Sequence, residues 1–136
     1  MAILNPLGLT HTFGLLSDVD SNAVVSGYDS HFHGDVRKLD FVSPGSSMVA
    51  TAEDVGIFLR ALNDGSLLND DERKIYSSIY EYEHTGLLPG YQSIARYHKD
   101  IDTVVIQFVN TSGGNMWTKS EIIYKRIIKI LRRKIS

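Results

Sequence analysis

The stretch Tyr82-Glu83-His84-Thr85-Gly86-Leu87-Leu88-Pro89-Gly90-Tyr91-Gln92-Ser93-Ile94 decides the fold of this chain. From Tyr80 onward the sequence takes on a period of two: Tyr91, Ser93, Ala95 and Tyr97 alternate with Gln92, Ile94, Arg96 and His98. That period puts successive side chains on opposite faces of a strand. Lys99-Asp100-Ile101-Asp102 supplies a turn, and Thr103 to Asn110 is rich in β-branched residues, which fit a pleated surface. Three antiparallel strands are expected, at about 81–86, 91–99 and 103–110.

On the C-terminal side, Thr111-Ser112-Gly113-Gly114-Asn115 breaks the alternation. Thr118-x-x-Glu121 then reads as the cap of a long terminal helix, with Ile123, Ile127, Ile130 and Leu131 inward and Lys125, Arg126, Lys129, Arg132 and Arg133 outward. On the N-terminal side, Thr51-x-x-Asp54 reads as a capping box, in which a hydroxyl accepts an orphan amide and a carboxylate reaches back. Val55, Phe58, Leu59 and Leu62 recur at three and four, and Gly65 offers a left-handed stop, so a helix is expected at about 52–64. Three acids from Asp70 suit a second, short helix at 70–77. Residues 10–45 read as a long irregular excursion, and residues 2–5 as the last turn of a helix halted by Asn5-Pro6, with Gly8 permitting a turn. The fold class is α+β: an antiparallel sheet with a long C-terminal helix on one face.

Composition sets the outer bounds. A chain of 136 residues, 43% of them hydrophobic, is enough for one domain that buries roughly two thirds of its unfolded surface. A net charge of -2 gives no reason to expect nucleic-acid binding. The absence of cysteine removes disulfides and thiolate metal sites. No apolar run approaches 18 residues, and no charged segment precedes a short apolar one, so neither a membrane span nor a leader is expected within the chain.

His84-Thr85-Gly86 and its flanks resemble the penicillin-recognising serine hydrolases: class C β-lactamases, D-alanyl-D-alanine carboxypeptidases and related esterases. In that family a Lys-Thr-Gly or His-Thr-Gly triplet lies on the strand lining the catalytic cleft. Asn5-Pro6-Leu7-Gly8-Leu9, Ser46 to Leu68, Gly90 to Tyr97 and Val104 to Asn110 match further family elements in type and order, so the resemblance covers nearly the whole chain. It implies a partial β-lactamase/transpeptidase-like fold lacking its N-terminal part, with 1–79 a remnant of the helical lobe and its loops and 80–136 the strands and terminal helix. The family's Ser-x-x-Lys and Tyr-x-Asn or Ser-x-Asn motifs occur nowhere in these residues. The implied activity of a complete protein is acyl-enzyme hydrolysis of a β-lactam, a D-Ala-D-Ala peptide or an ester, in an extracytoplasmic setting. This chain alone is expected to be inactive. A ligand-binding module without catalysis and an oligomeric scaffold are the other classes.

By that resemblance His84 supplies a proton or positive charge, Thr85 hydrogen-bonds a substrate carboxylate and Gly86 leaves room for close approach. The Leu87 backbone amide serves as one oxyanion donor, and Asn110 faces the substrate; no cofactor or metal is implied. The blander readings stand beside these. The triplet can be a plain strand end, and Asn110 a turn residue. His31-x-His33 with Asp29 or Asp35 has metal-ligand types, but neither spacing nor resemblance calls for a metal there. The basic C-terminal stretch suits an anionic membrane surface, or simply a solvated face complementing the helix dipole. Finally, Thr103 to Val109 carries no charge and no proline. With its neighbouring strand missing, its edge is expected to be covered by a second copy, giving a homodimer or higher oligomer.

Overall fold

The computed structural model describes residues 3–39, 48–79 and 83–135. In chain order its elements are helix α1 (Leu4–Leu7), strands β1 (Thr12–Phe13), β2 (Tyr28–Asp29) and β3 (Val49–Ala50), helices α2 (Ala52–Asp64) and α3 (Asp70–Ile79), strands β4 (Glu83–Leu88), β5 (Tyr91–His98), β6 (Thr103–Val109) and β7 (Thr111–Ser112), and helix α4 (Met116–Ile135). The architecture is α+β. The main sheet has the order β4-β5-β6, all antiparallel, and residues 81–82 of the expected first strand lie outside the described residues.

Register fixes what each face carries. Thr85 pairs with Ile94 and Ile94 with Gln107, whereas Gly86 pairs with Ser93 and Ser93 with Phe108. The face bearing Gln92, Ile94, Arg96 and His98 receives α4. Ile94, Tyr124 and Ile128 form its buried centre, with Val105, Trp117 and Leu131 packed around them. Polar contacts run the length of this interface. Ser120 Oγ donates to Gln92 Oε1 at 2.7 Å, Gln107 Nε2 donates to the Ser120 carbonyl at 3.0 Å, and the Tyr124 hydroxyl sits 2.9 Å from His98 Nε2 and donates to the Val105 carbonyl at 3.2 Å. Arg132 Nε closes the far end on Asp100 at 2.7 Å. On the opposite face α2 packs across β5 and β6, with Gly56 beside Ile106.

The interface corrects the expected orientation of α4. Ile123 and Ile130 are 53% and 54% exposed and Ile127 is 36% exposed; of the four residues expected inward, only Leu131 packs against the core. The stripe against the sheet is Ser120, Tyr124 and Ile128, fully buried, with Trp117 and Leu131 partly buried beside them. The helix also begins two residues before Thr118, so Thr118-x-x-Glu121 lies inside it.

Other boundaries shift for local reasons. Pro6 sits within the single turn of α1, where the missing amide would have had no helical partner anyway, and Gly8 ends that turn in the left-handed region at φ 65. Helix α2 starts and stops as expected, with Thr51 Oγ1 accepting the Asp54 amide at 3.2 Å. The Asp54 carboxylate does not close a box; it is 4% exposed and accepts from the His11 amide and Thr12 Oγ1, both at 2.8 Å, tying α2 to β1. The reciprocal box is at α3: Asn69 Oδ1 accepts the Glu72 amide at 3.0 Å while Glu72 Oε2 accepts the Asn69 amide at 2.9 Å. Helix α3 runs two residues beyond its expected end at 77. Within the expected irregular stretch, β1 pairs with β3 and β2 runs parallel to β7; residues 40–47 lie outside the described residues.

Candidate active site

Strand β4 holds four of the five residues singled out in the sequence. It is an edge of the three-stranded sheet among the described residues, and His84, Thr85 and Leu87 are exposed while Gly86 is half-buried. Alternation sends the His84 side chain to the face shared with Ala95 and Ile106, and Thr85 to the face shared with Ile94 and Gln107. The hairpin joining β4 to β5 has a two-residue turn, Pro89-Gly90, closed by the Leu88 and Tyr91 pair. A closing pair exchanges its backbone bonds across the hairpin, and bonded and non-bonded residues alternate in an antiparallel ladder. The amides of Leu87 and Thr85 therefore face the open edge rather than β5, where a bound carbonyl could reach them.

One hydroxyl limits the space beside Gly86. An added Cβ would stand 2.5 Å from Ser93 Oγ, directly across the ladder. A methyl here would turn that hydroxyl aside, since Ser93 Cβ stands at 3.8 Å, and would narrow the strand's surface.

Asn110 lies at the same end of the sheet as Leu87 but two strands away, roughly 10 Å at the usual spacing between neighbouring strands. Its side-chain nitrogen donates to the Ser26 carbonyl at 3.0 Å, and its own carbonyl accepts the Tyr28 amide at 3.1 Å. In this arrangement Asn110 clasps the segment before β2.

That segment carries residues the sequence reading did not connect. Ser112 Oγ accepts the buried Gly90 amide at 2.7 Å and donates a short hydrogen bond to Asp29 Oδ2. Asp29 Oδ1 in turn accepts the His31 amide at 2.8 Å and lies 2.9 Å from His31 Nδ1. The Ser112 hydroxyl, then the His31 amide, hold the Asp29 carboxyl below the ordinary range for aspartate. The order is serine, aspartate, histidine, with the carboxylate between the other two. The hydroxyl meets only the Asp29 carboxylate, a weak base held below its ordinary range, and the imidazole lies beyond it, so this is a fastener for the β4–β5 turn rather than an activated nucleophile.

The fastener works because the backbone comes very close. Gly90 has φ 83, and a Cβ on it would meet Val36 Cγ2 at 2.3 Å; a Cβ on Gly27 would meet the Tyr91 ring at 2.5 Å. The Tyr91 hydroxyl donates to the Val25 carbonyl at 2.7 Å. Residues 25–37 are thereby wrapped against the end of the candidate cleft. His31 is engaged with Asp29, and among the described residues no group of three or more His, Cys, Asp or Glu side chains is placed to hold a metal. Among the described residues no helix is long and apolar enough to cross a membrane.

No protein-family model matches the chain, and no curated protein matches it in sequence. Solved structures do match. The D-amino acid amidase from Ochrobactrum anthropi SV3, in its complex with L-phenylalanine amide, superposes with a TM-score of 0.82 at 16% identity, over 99% of this chain and 50% of the amidase. The same enzyme with D-phenylalanine gives 0.76 at 19% identity, over 95% of this chain and 52% of that one. A D-stereospecific amidohydrolase from Streptomyces sp. gives 0.64 at 19% identity, over 81% and 42%. The chain thus spans about half the length of these structures. The fold is that of about half of each of these amide-hydrolysing enzymes.

Proposed function

We propose that this chain forms the sheet side of a serine-hydrolase cleft, in which the open edge of β4 receives a small amide, ester or β-lactam. The observation that carries the reading is the exposure of His84, Thr85 and Leu87 on an edge strand, in a fold shared with amidohydrolases. The Leu87 amide is one donor for charge developing on a carbonyl oxygen, the kind of preorganised dipole that lowers an acyl-transfer barrier. Thr85 Oγ1 hydrogen-bonds a substrate carboxylate or carbonyl, the His84 imidazole supplies a proton or positive charge, and Gly86 leaves the strand accessible. Asn110 contributes by fixing residues 26–28, or faces ligand once its bond to Ser26 is exchanged. A nucleophilic serine needs an adjacent base, and no Ser-x-x-Lys pair is present in these residues, so the acyl-enzyme step belongs to a complete protein that includes them. A ligand-binding module is the second reading, favoured by the same edge without a nucleophile.

Titrating the chain with D-phenylalanine amide, benzylpenicillin and a phenylboronic acid tests this by backbone amide shifts. Shifts confined to residues 84–88 and lost in Thr85→Val support the β4 reading. Shifts elsewhere, or none at millimolar ligand, reject it. Turnover of a chromogenic cephalosporin or a p-nitrophenyl ester by the chain is expected to stay at background. Stoichiometric acylation of one serine, seen by intact mass, would overturn the assignment of these residues as the sheet side alone.

A further inference from the structure

We infer that Ser112 and Asp29 are positioning residues for the Leu87 amide: they hold the Pro89-Gly90 turn in the conformation that aims this donor from the edge of β4. The inference rests on the proposed role of β4 and names what sets its geometry. Every contact it uses is internal to the described residues.

The turn is an unfavourable one for its place. The proline ring fixes φ of Pro89 at about −65°, which excludes types I′ and II′, since both need positive φ at the first central residue. Gly90 has φ 83, which excludes type I and leaves type II. Two-residue hairpins favour the primed turns because those follow the twist of the strands, whereas a type II turn splays them. The ladder is nonetheless paired from Glu83 with Arg96 through to Leu88 with Tyr91, so the misfit falls at the turn end, beside Leu87. Types I and II differ by a flip of the peptide between the two central residues, and the Gly90 N–H belongs to that peptide. An acceptor for this amide therefore selects the flip.

Ser112 is that acceptor. Its hydroxyl takes the Gly90 amide at 2.7 Å and gives its own proton to Asp29 Oδ2, so the carboxylate aims the oxygen's lone pairs at the turn. Asp29 is held in turn. It pairs with Ser112 in the β2–β7 ladder, and its loop is closed by the Val36 amide on the Gly27 carbonyl at 2.9 Å and the Gly27 amide on Asp35 Oδ1 at 3.1 Å. The same loop abuts the turn: a Cβ on Gly90 would lie 3.0 Å from the Gly27 carbonyl carbon and 3.1 Å from the Tyr28 nitrogen. Across the ladder Leu87 pairs with Gln92, which is 3% exposed and accepts from Ser120 Oγ on α4 at 2.7 Å. With Gln92 anchored on one side and the turn clasped at the end, the direction of the Leu87 N–H is set before a ligand arrives. Such preorganisation is what makes a backbone donor effective toward developing charge.

Residual dipolar couplings of the free chain report the direction of the Leu87 N–H without any ligand. Ser112→Ala should reorient the Leu87 and Gly90 amides while α2 and α4 keep their wild-type couplings. Asp29→Ala, which leaves the hydroxyl in place but no longer aims it, should do the same to a smaller extent. Asp102→Asn, at the other end of β5, controls for lost stability alone and should leave Leu87 unmoved. Titration with D-phenylalanine amide then reads the consequence: binding weaker by about fivefold or more in Ser112→Ala, and within about twofold of wild type in Asp102→Asn. An unmoved Leu87 in Ser112→Ala overturns the proposal whatever the ligand does. So does a loss of affinity in Asp102→Asn equal to that in Ser112→Ala. Where Ser112→Ala does not fold, the same outcomes are read from Asp29→Ala. A reoriented Leu87 in a chain whose wild type binds nothing at residues 84–88 supports the clasp and rejects the role of β4 instead.

Discussion

Arg60 on α2 grips Asp102, the residue that ends the β5–β6 turn, with both arms of its guanidinium. Nη2 donates to Oδ2 at 3.0 Å, and Nη1 reaches Oδ1 and the Asp102 carbonyl, the latter at 3.1 Å. The Tyr97 hydroxyl adds a third donor to the carboxylate at 2.7 Å, and its ring lies 5.5 Å from the guanidinium carbon. Asp102 is the one residue other than glycine with positive φ among the described residues, at 46°, so its carboxylate is held where its backbone is least common.

Those donors, Arg60 first and Tyr97 next, lower the Asp102 carboxyl to about 2. The unfolded chain titrates near the ordinary value of about 3.9. A carboxyl depressed on folding stabilises the native state above the unfolded value, and that contribution disappears as pH falls through the folded one. The melting temperature of the wild type should therefore drop between pH 4 and pH 2 more steeply than that of Asp102→Asn, whose side chain tolerates the left-handed backbone without the charge. Parallel slopes for the two proteins would show that the contact contributes nothing.

Ser112→Ala removes the acceptor of the buried Gly90 amide and the strongest donor to Asp29. An orphaned buried amide costs about 1–3 kcal/mol, so urea unfolding should shift by that amount with an unchanged slope. The loss should be accompanied by altered amide shifts at Gly90 and Tyr91. A loss below about 0.5 kcal/mol would mean that the turn is held without Ser112.

Gly86→Ala brings the new methyl against Ser93 Oγ, which has to change rotamer, and should destabilise by about 1 kcal/mol. Ser93→Ala removes the obstacle, so the double variant should recover at least about 0.5 kcal/mol relative to additivity. Additive losses would place the strain in the backbone of β4 instead.

Much of the fold could be read from residues alone because the strongest signals are local. Thr51 and Gly65 bound α2 through a hydroxyl cap and a left-handed glycine, and the alternation from Tyr91 to His98 needs no partner to be visible. The face of α4 was misread because the helix carries two apolar stripes. Ile123, Ile127 and Ile130 are more hydrophobic by type, but Trp117, Tyr124 and Ile128 are the ones on the sheet, and Tyr124 finds partners for its hydroxyl in His98 and Val105. A search for the stripe with the largest rings would have chosen correctly. On β4 the residue types at 84–87 were legible as a pattern, whereas the fastener behind them was not. Asp29, Ser112 and Gly90 lie far apart in sequence, and no periodicity links them.

That separation has a kinetic consequence. The Ser112 to Asp29 bond closes a loop of 83 residues, as does the short parallel pairing of β2 with β7 around it. A contact that distant forms only after its loop-closure entropy is offset, whereas the β4–β5 hairpin and the helices need little chain to close. The Pro89-Gly90 turn thus exists as a local hairpin well before residues 25–37 arrive to lock it. In the order of assembly the sheet is expected to come first, and the attachment of residues 25–37 to its turn to be among the last contacts the chain makes.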